Sequence, residues 1–191
     1  MQNEQNSFIE LVKRRYSVRA YSDKPVEDEK IIKCLQAVHL APSACNAQPW
    51  KFIIVNDQNI KNQIADATSK NILPMNHFTK QAPIHVVVIM ERPNVSSAIG
   101  SVLKNKPYNL IDIGIATAHF CLQATELGLG TCIVGWFNEK KVRSLLNIPS
   151  SSRPVLIITV GYPKNDEIPE KRRKPFEKIY NYNQYKGKMN D

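Results

Sequence analysis

An α+β fold is predicted by three observations. Stretches with helical apolar spacing recur along the chain, most clearly over 27–40 and 109–127. Short β-branched runs of strand length, such as Ile84–Met90, stand between them. No repeat, low-complexity tract or linker divides the 191 residues, so one domain over 1–191 is expected, long enough to bury a core unaided.

The elements follow in order. Phe8, Leu11 and Val12 share one side of a short amphipathic helix over 5–15. In the helix over 27–40, Glu27, Asp28 and Glu29 suit the positive end of the dipole. Ile31, Ile32, Leu35 and Val38 form its apolar face, and Pro42 closes it off. A tight polar loop, Ala41–Trp50, leads into a strand over Lys51–Val55, and a weaker helix covers 58–69. Residues 91–107 are polar and are expected to loop over the surface. The helix over 109–127 is apolar nearly all round, with Leu110, Ile113, Ala116, Phe120 and Leu127, and is therefore expected to be central. Gly128-Leu129-Gly130 ends it. Thr131–Val134 reads as a strand, Asn138 caps a helix to about Leu146, and Val155–Val160 is a further strand. From 162 to 191 the chain is charged, with Ile179, Tyr180, Tyr182 and Tyr185 as apolar exceptions. It reads as an arm that packs on something else.

Bulk properties exclude several classes. No apolar run is long enough to span a membrane, and the start of the chain lacks the features of a signal peptide. Cys34, Cys45, Cys121 and Cys132 form no CxxC pair, and no His stands beside them at ligand spacing, so no metal site is expected. Reduced thiols in the cytoplasm are the better account. The net charge of +9 raises the question of nucleic acid. However, the densest basic run, Lys171-Arg172-Arg173-Lys174, is bracketed by Glu170, Glu177 and two prolines. A few cations committed to a phosphate-bearing ligand fit better than a nucleic-acid tail.

No GxGxxG, GxxxxGK[ST] or GxSxG motif occurs, so Rossmann, P-loop and hydrolase-elbow chemistry find no support. His39 and His119 fall on predicted helices and read as structural. Three polar clusters remain. In Arg15-Tyr16-Ser17-Val18-Arg19, an extended backbone would turn Arg15, Ser17 and Arg19 to one side, where they could grip an anion. A solvated basic surface is the plainer alternative. The second cluster is Pro42-Ser43-Ala44-Cys45-Asn46-Ala47-Gln48-Pro49-Trp50, which could equally be a capped turn feeding a strand. The third is Lys171-Arg172-Arg173, which could be no more than a charged tail.

Taken together and in this order, the clusters resemble the FMN-dependent nitroreductase family. Arg15–Tyr21 is similar to its N-terminal basic-Ser-x-basic motif, and Ala41–Trp50 to its APSxxNxQPW loop. Glu126–Thr131 with Gly135-Trp136-Phe137 resembles the segment behind the flavin, and Gly161-Tyr162-Pro163 with Lys171–Pro175 the C-terminal end. The likeness spans about residues 8–178. It implies a mostly antiparallel sheet surrounded by helices, in an intertwined homodimer with FMN at the interface. By resemblance, Arg15, Tyr16, Ser17 and Arg19 contact FMN from one subunit, and Pro42, Ser43, Ala44 and Asn46 from the other. Val134 and Gly135 lie along the ring, with the Gly135 N–H near N5, and Lys171 and Arg173 join Arg15 on the phosphate.

Three features depart from the family pattern. Val134 stands where many members carry Glu, and Tyr16 replaces a frequent Arg or His. The segment Glu91–Pro107 is short. Cys45 is expected to be a bystander. No catalytic side chain is required, because the cofactor carries the redox step. The implied activity is ping-pong electron transfer from NAD(P)H to a small acceptor such as a nitroaromatic or quinone. The alternative is an FMN-binding protein that stores or consumes flavin without NAD(P)H turnover. Neither a membrane nor nucleic acid is an expected partner.

Overall fold

The structure is a computed structural model that describes residues 7–69, 76–91 and 106–186. Four strands, β1 (Trp50–Val55), β2 (Ile84–Met90), β3 (Gly130–Val134) and β4 (Arg153–Gly161), form one sheet in the order β1-β2-β4-β3. Every neighbouring pair is antiparallel, with Phe52 opposite Val88, Val86 opposite Ile158 and Cys132 opposite Thr159. Five helices accompany it among the described residues: α1 (Phe8–Arg14), α2 (Asp28–His39), α3 (Gln58–Thr68), α4 (Tyr108–Glu126) and α5 (Glu139–Leu145).

Side chains alternate along the strands, and helices cover both faces. Val86, Val88, Ile158 and Val160 pack with Ile31, Cys34 and Val38 of α2 and Ile113, Ala116 and Phe120 of α4. Val87, Ile89 and Ile157 face the other way, onto Ile64 of α3 and Val142 of α5. That burial on both sides accounts for the unbroken apolar run of β2. Asp57 and Asn138 cap α3 and α5, their side chains accepting the N–H groups of Ile60 and Lys141. Gly128, at φ 76°, ends the turn after α4 in the left-handed conformation glycine adopts freely.

Several expectations shift. The buried face of α2 is Ile31, Cys34 and Val38, a strict i, i+3, i+7 series, so Ile32 is left exposed. α4 is central along one side only, for Leu110 and Ile111 are exposed. β4 starts earlier than expected and includes Pro154, which pairs with Ile89 beside the register shift at Val88/Ile89. A residue without an N–H is tolerated at such a bulge. The short 3₁₀ turns Ala44–Asn46, His77–Gln81 and Phe176–Lys178 carry no period that a sequence can reveal. Most of the expected 91–107 loop lies outside the described residues.

Candidate functional site

Paired glycines build the seat of the site. Gly130 and Gly161 stand opposite each other in the β3–β4 ladder. A Cβ on Gly130 would meet Val18 Cγ2 at 2.5 Å, and one on Gly161 would meet Pro83 Cδ at 2.6 Å and Tyr21 Cδ1 at 2.9 Å. Their bare backbones therefore admit Val18 and Tyr21. The Val18 N–H donates to Thr131 O at 2.9 Å, and Ser17 pairs in parallel with Thr131 along the outer edge of β3. The Tyr21 hydroxyl reaches Val18 O at 2.9 Å and Thr159 Oγ1 at 2.7 Å. This buried hydroxyl is held well above the usual phenol range, chiefly by desolvation.

With Val18 turned inward, Ser17 and Arg19 face outward. Arg15, Ser17 and Arg19 all act on the thiol of Cys132, whose pKa burial raises and these neighbours lower. Ser17 and Arg19 meet at Cys132, and the Arg15 charge is felt there as well. Tyr16 lies on the opposite side, in the small cluster of Val18, Tyr21 and Ala82 and under the influence of Asp166.

The C-terminal arm brings in the third cluster. The Ser22 N–H donates to Tyr162 O, Lys164 N–H donates to Ala20 O, and Tyr21 pairs with Pro163. The arm then runs back along the N-terminal segment, and Lys171 Nζ donates to Val12 O at the end of α1. Partial burial, then the charges of Arg15 and Arg173, hold the Lys171 ammonium below the ordinary lysine range. Among the described residues, none of Arg15, Arg19, Lys171 and Arg173 forms a salt bridge. Arg15, Lys171 and Arg173 thus lie near one another with no acid at ion-pair distance among the described residues, an arrangement suited to an anion.

At the far end of β3, the Val134 side chain is buried in the second core. Gly135 is exposed, with Leu156 Cδ2 at 3.8 Å as its nearest neighbour for a Cβ. No packing among the described residues requires glycine there. A pocket of about 490 Å³ opens beside it, walled by Ala67, Thr68, Trp136, Phe137 and Lys141.

Pro42, Ser43, Ala44 and Asn46 stand elsewhere. Their loop precedes β1, at the opposite edge of the sheet from β3. Ala44 N–H donates to Asp112 Oδ1 at 3.1 Å near the start of α4, while Arg14 pairs with Glu126 at 2.8 Å at its end. Those two anchor points are about 21 Å apart along the helix. No hydrogen bond or ion pair among the described residues joins this loop to Arg15, Ser17 or Arg19.

The sequence profile of the Nitroreductase family matches residues 12–162. The chain belongs to that family. A nitroreductase relative from Archaeoglobus fulgidus, provisionally named NADH dehydrogenase/NAD(P)H nitroreductase, is 33% identical over 83% of this chain and 87% of its own. A Thermotoga neapolitana relative named iodotyrosine deiodinase is 30% identical over 93% of this chain and 98% of its own. The solved structure of an FMN-dependent nitroreductase from Clostridium difficile R20291 superposes with a TM-score of 0.77 at 29% identity, covering 93% of this chain and 100% of that one. The nitroreductase fold expected from the motifs is thus present, with an antiparallel sheet and helices on both faces.

Three residues that shape these segments escaped the sequence reading. Cys132 looked like one more core thiol. Gly130 looked like a helix terminator. Asp112 left a usable signal, as a lone acid inside the most apolar helix of the chain.

Proposed function

We propose that this protein is an FMN-dependent oxidoreductase that passes electrons from NAD(P)H to a small acceptor, such as a nitroaromatic or quinone, by a ping-pong mechanism. The observation that carries this reading is the uncompensated Arg15, Lys171 and Arg173 cluster beside Ser17 and Arg19 on the edge of β3. Its donors match the phosphate of FMN in charge and hydrogen-bonding capacity. When bound, FMN supplies the two-electron chemistry. The chain's own residues bind and tune. Arg15, Lys171 and Arg173 hold the phosphate. Ser17 and the backbones of Tyr16, Val134 and Gly135 line the site, and Arg19 supplies a fixed positive charge that favours a ligand gaining electrons. The pocket beside Gly135 falls within the range of roughly 300–1,000 Å³ typical of small-molecule sites and receives donor and acceptor in turn.

The working unit is a homodimer in this reading. Phe8, Ile9 and Val12 of α1, Leu110 and Ile111 of α4, and Phe176, Ile179 and Tyr182 of the arm are all exposed in the single chain. Apolar surface on this scale suits an interface. A second copy also resolves the separation of the two half-sites, because its Pro42–Asn46 loop can complete the site that one chain leaves open. The arm over 162–191 belongs to the same single domain. Buried free thiols at Cys34, Cys121 and Cys132 suit a reducing compartment, and the cytoplasm is the proposed location. No helix among the described residues is long and apolar enough to cross a membrane.

The test is a visible spectrum after incubation with FMN and desalting, followed by anaerobic NADH and then NADPH. Retained colour that bleaches with either donor supports the enzyme. Retained colour that neither donor bleaches supports flavin storage instead, and colourless protein rejects both. Light scattering at low concentration tests assembly, and a flavin-loaded monomer overturns the shared site.

A further inference from the structure

Asp112 is a carboxylate with an unusual position. It is 3% exposed, and Lys61 is the only other charged residue buried as deeply among the described residues. No cation pairs with it there. Oδ1 accepts the Ala44 N–H at 3.1 Å, and Oδ2 has no partner. One turn earlier on the same helix face, Asn109 Oδ1 is also buried without a partner. Burying a carboxylate is costly, so a purely structural role is poorly served by this choice of residue.

What Asp112 holds gives its purpose. Cys45, Asn46 and Gln48 have φ values of 52°, 51° and 45°, three left-handed residues without a glycine among them. The loop braces itself internally, with Ser43 Oγ accepting the Gln48 N–H at 3.0 Å and Gln48 Nε2 donating to Asn46 Oδ1 at 3.0 Å. Apart from the turn bond from the Trp50 N–H to Gln48 O at the start of β1, the Ala44–Asp112 bond is the only hydrogen bond among the described residues that ties residues 43–48 to another element. A strained, self-braced loop is thus hung on one buried carboxylate.

We propose that Asp112 is a positioning residue of the cofactor site: it grips the Ala44 N–H and so sets the Pro42–Asn46 loop in place for FMN. This rests on the FMN reading above. The open acceptors on Asp112 and Asn109 lie on the same helix that carries exposed Leu110 and Ile111, as expected of a site that a second chain completes.

The experiment is a double-mutant cycle read by the Kd for FMN, from fluorescence quenching of added FMN, with melting of the FMN-free protein alongside. Asp112→Ala should raise the Kd about tenfold or more, as for loss of a hydrogen bond to a charged group. Asp112→Asn keeps an acceptor for Ala44 and should stay within about threefold of wild type. Ala44→Pro removes the donor at the first position of a 3₁₀ turn, where proline is tolerated. It should weaken FMN about as much, and the double variant should be no worse than the weaker single. If Asp112→Ala does not fold, Ala44→Pro carries the test, because it leaves the core filled. An unchanged Kd in the single variants, or effects that multiply in the double, overturns the proposal. A melting loss without a change in Kd shows a structural role only and overturns it too. Wild-type protein that fails to bind FMN rejects the functional reading instead.

Discussion

Replacing Gly130 with Ala tests how the cation-bearing segment is held. The new Cβ would stand 2.5 Å from Val18 Cγ2, 2.9 Å from Val18 Cβ and 3.0 Å from Val18 Cγ1. Ordinary carbon contacts lie at about 3.5–4.0 Å, so the Val18 side chain must retreat by about 1 Å. One of the three contacts falls on Cβ, which a rotamer change cannot move, so side-chain rotation alone does not relieve the clash. The segment itself must move. Its Val18 N–H to Thr131 O bond, 2.9 Å long, does not survive a displacement of that size. Loss of the bond costs about 1 kcal/mol and overpacking about 2 kcal/mol more. A total near 3 kcal/mol lowers Tm by about 6–12 °C for a chain of this length. Ser17 and Arg19 ride on the same segment, so FMN affinity should fall at least tenfold. Thermal melting by circular dichroism and FMN titration read the two effects. A variant that melts within about 2 °C of wild type and binds FMN normally would refute the claim that Gly130 seats this segment.

Other expectations are narrower. Gly135→Ala should fold normally, since its nearest new neighbour is 3.8 Å away, yet lower FMN affinity or turnover at least tenfold; wild-type values for both would separate Gly135 from the site. Riboflavin, which lacks the phosphate, should bind about a hundredfold more weakly than FMN, and Lys171→Ala with Arg173→Ala should erase most of that preference. Equal binding of the two flavins removes the phosphate role of the cluster. His85 is fully buried, and its imidazole is held down to about 4, first by desolvation. An unfolded histidine gains its proton near pH 6.5, so His85 contributes its full stability above that pH and loses it as pH falls toward 4, about 3 kcal/mol in all. Urea unfolding should therefore show a drop between pH 7.5 and 4.5 that shrinks by about 2 kcal/mol in His85→Gln; an equal drop in both proteins contradicts the assignment.

Local signals in the chain read well. α2, α4 and β2 were visible because their apolar periods are long and clean, and Asn138 was visible as a cap because capping depends on one side chain and its own turn. The errors were of one kind. Ile32 and Leu110 are apolar and at helical spacing, yet exposed, because a helix face narrows to whatever the neighbouring layer can cover. The strand expected over Val155–Val160 starts two residues earlier, and Pro154 is tolerated in it beside the register shift at Val88/Ile89. Within the site, the alternation of Arg15, Ser17 and Arg19 was legible because an extended backbone turns every second side chain the same way. That Ser17 and Arg19 meet at Cys132 was not, because it depends on which strand the segment lies against.

The sequence by itself determined the pieces: an α+β chain, its main helices and strands, an extended basic segment, a polar proline-bracketed loop and a basic arm. Periodicity, capping and backbone stiffness act over a few residues, so the order of residues suffices to specify them. The tertiary structure alone decided which pieces meet. It set Lys171 beside Arg15, fitted Val18 against a bare glycine, hung the Ala44 turn on Asp112 and placed that turn at the opposite edge of the sheet from Arg19. These are long-range contacts fixed by strand order and by the space a missing Cβ leaves, and neither quantity is a property of any local stretch of sequence.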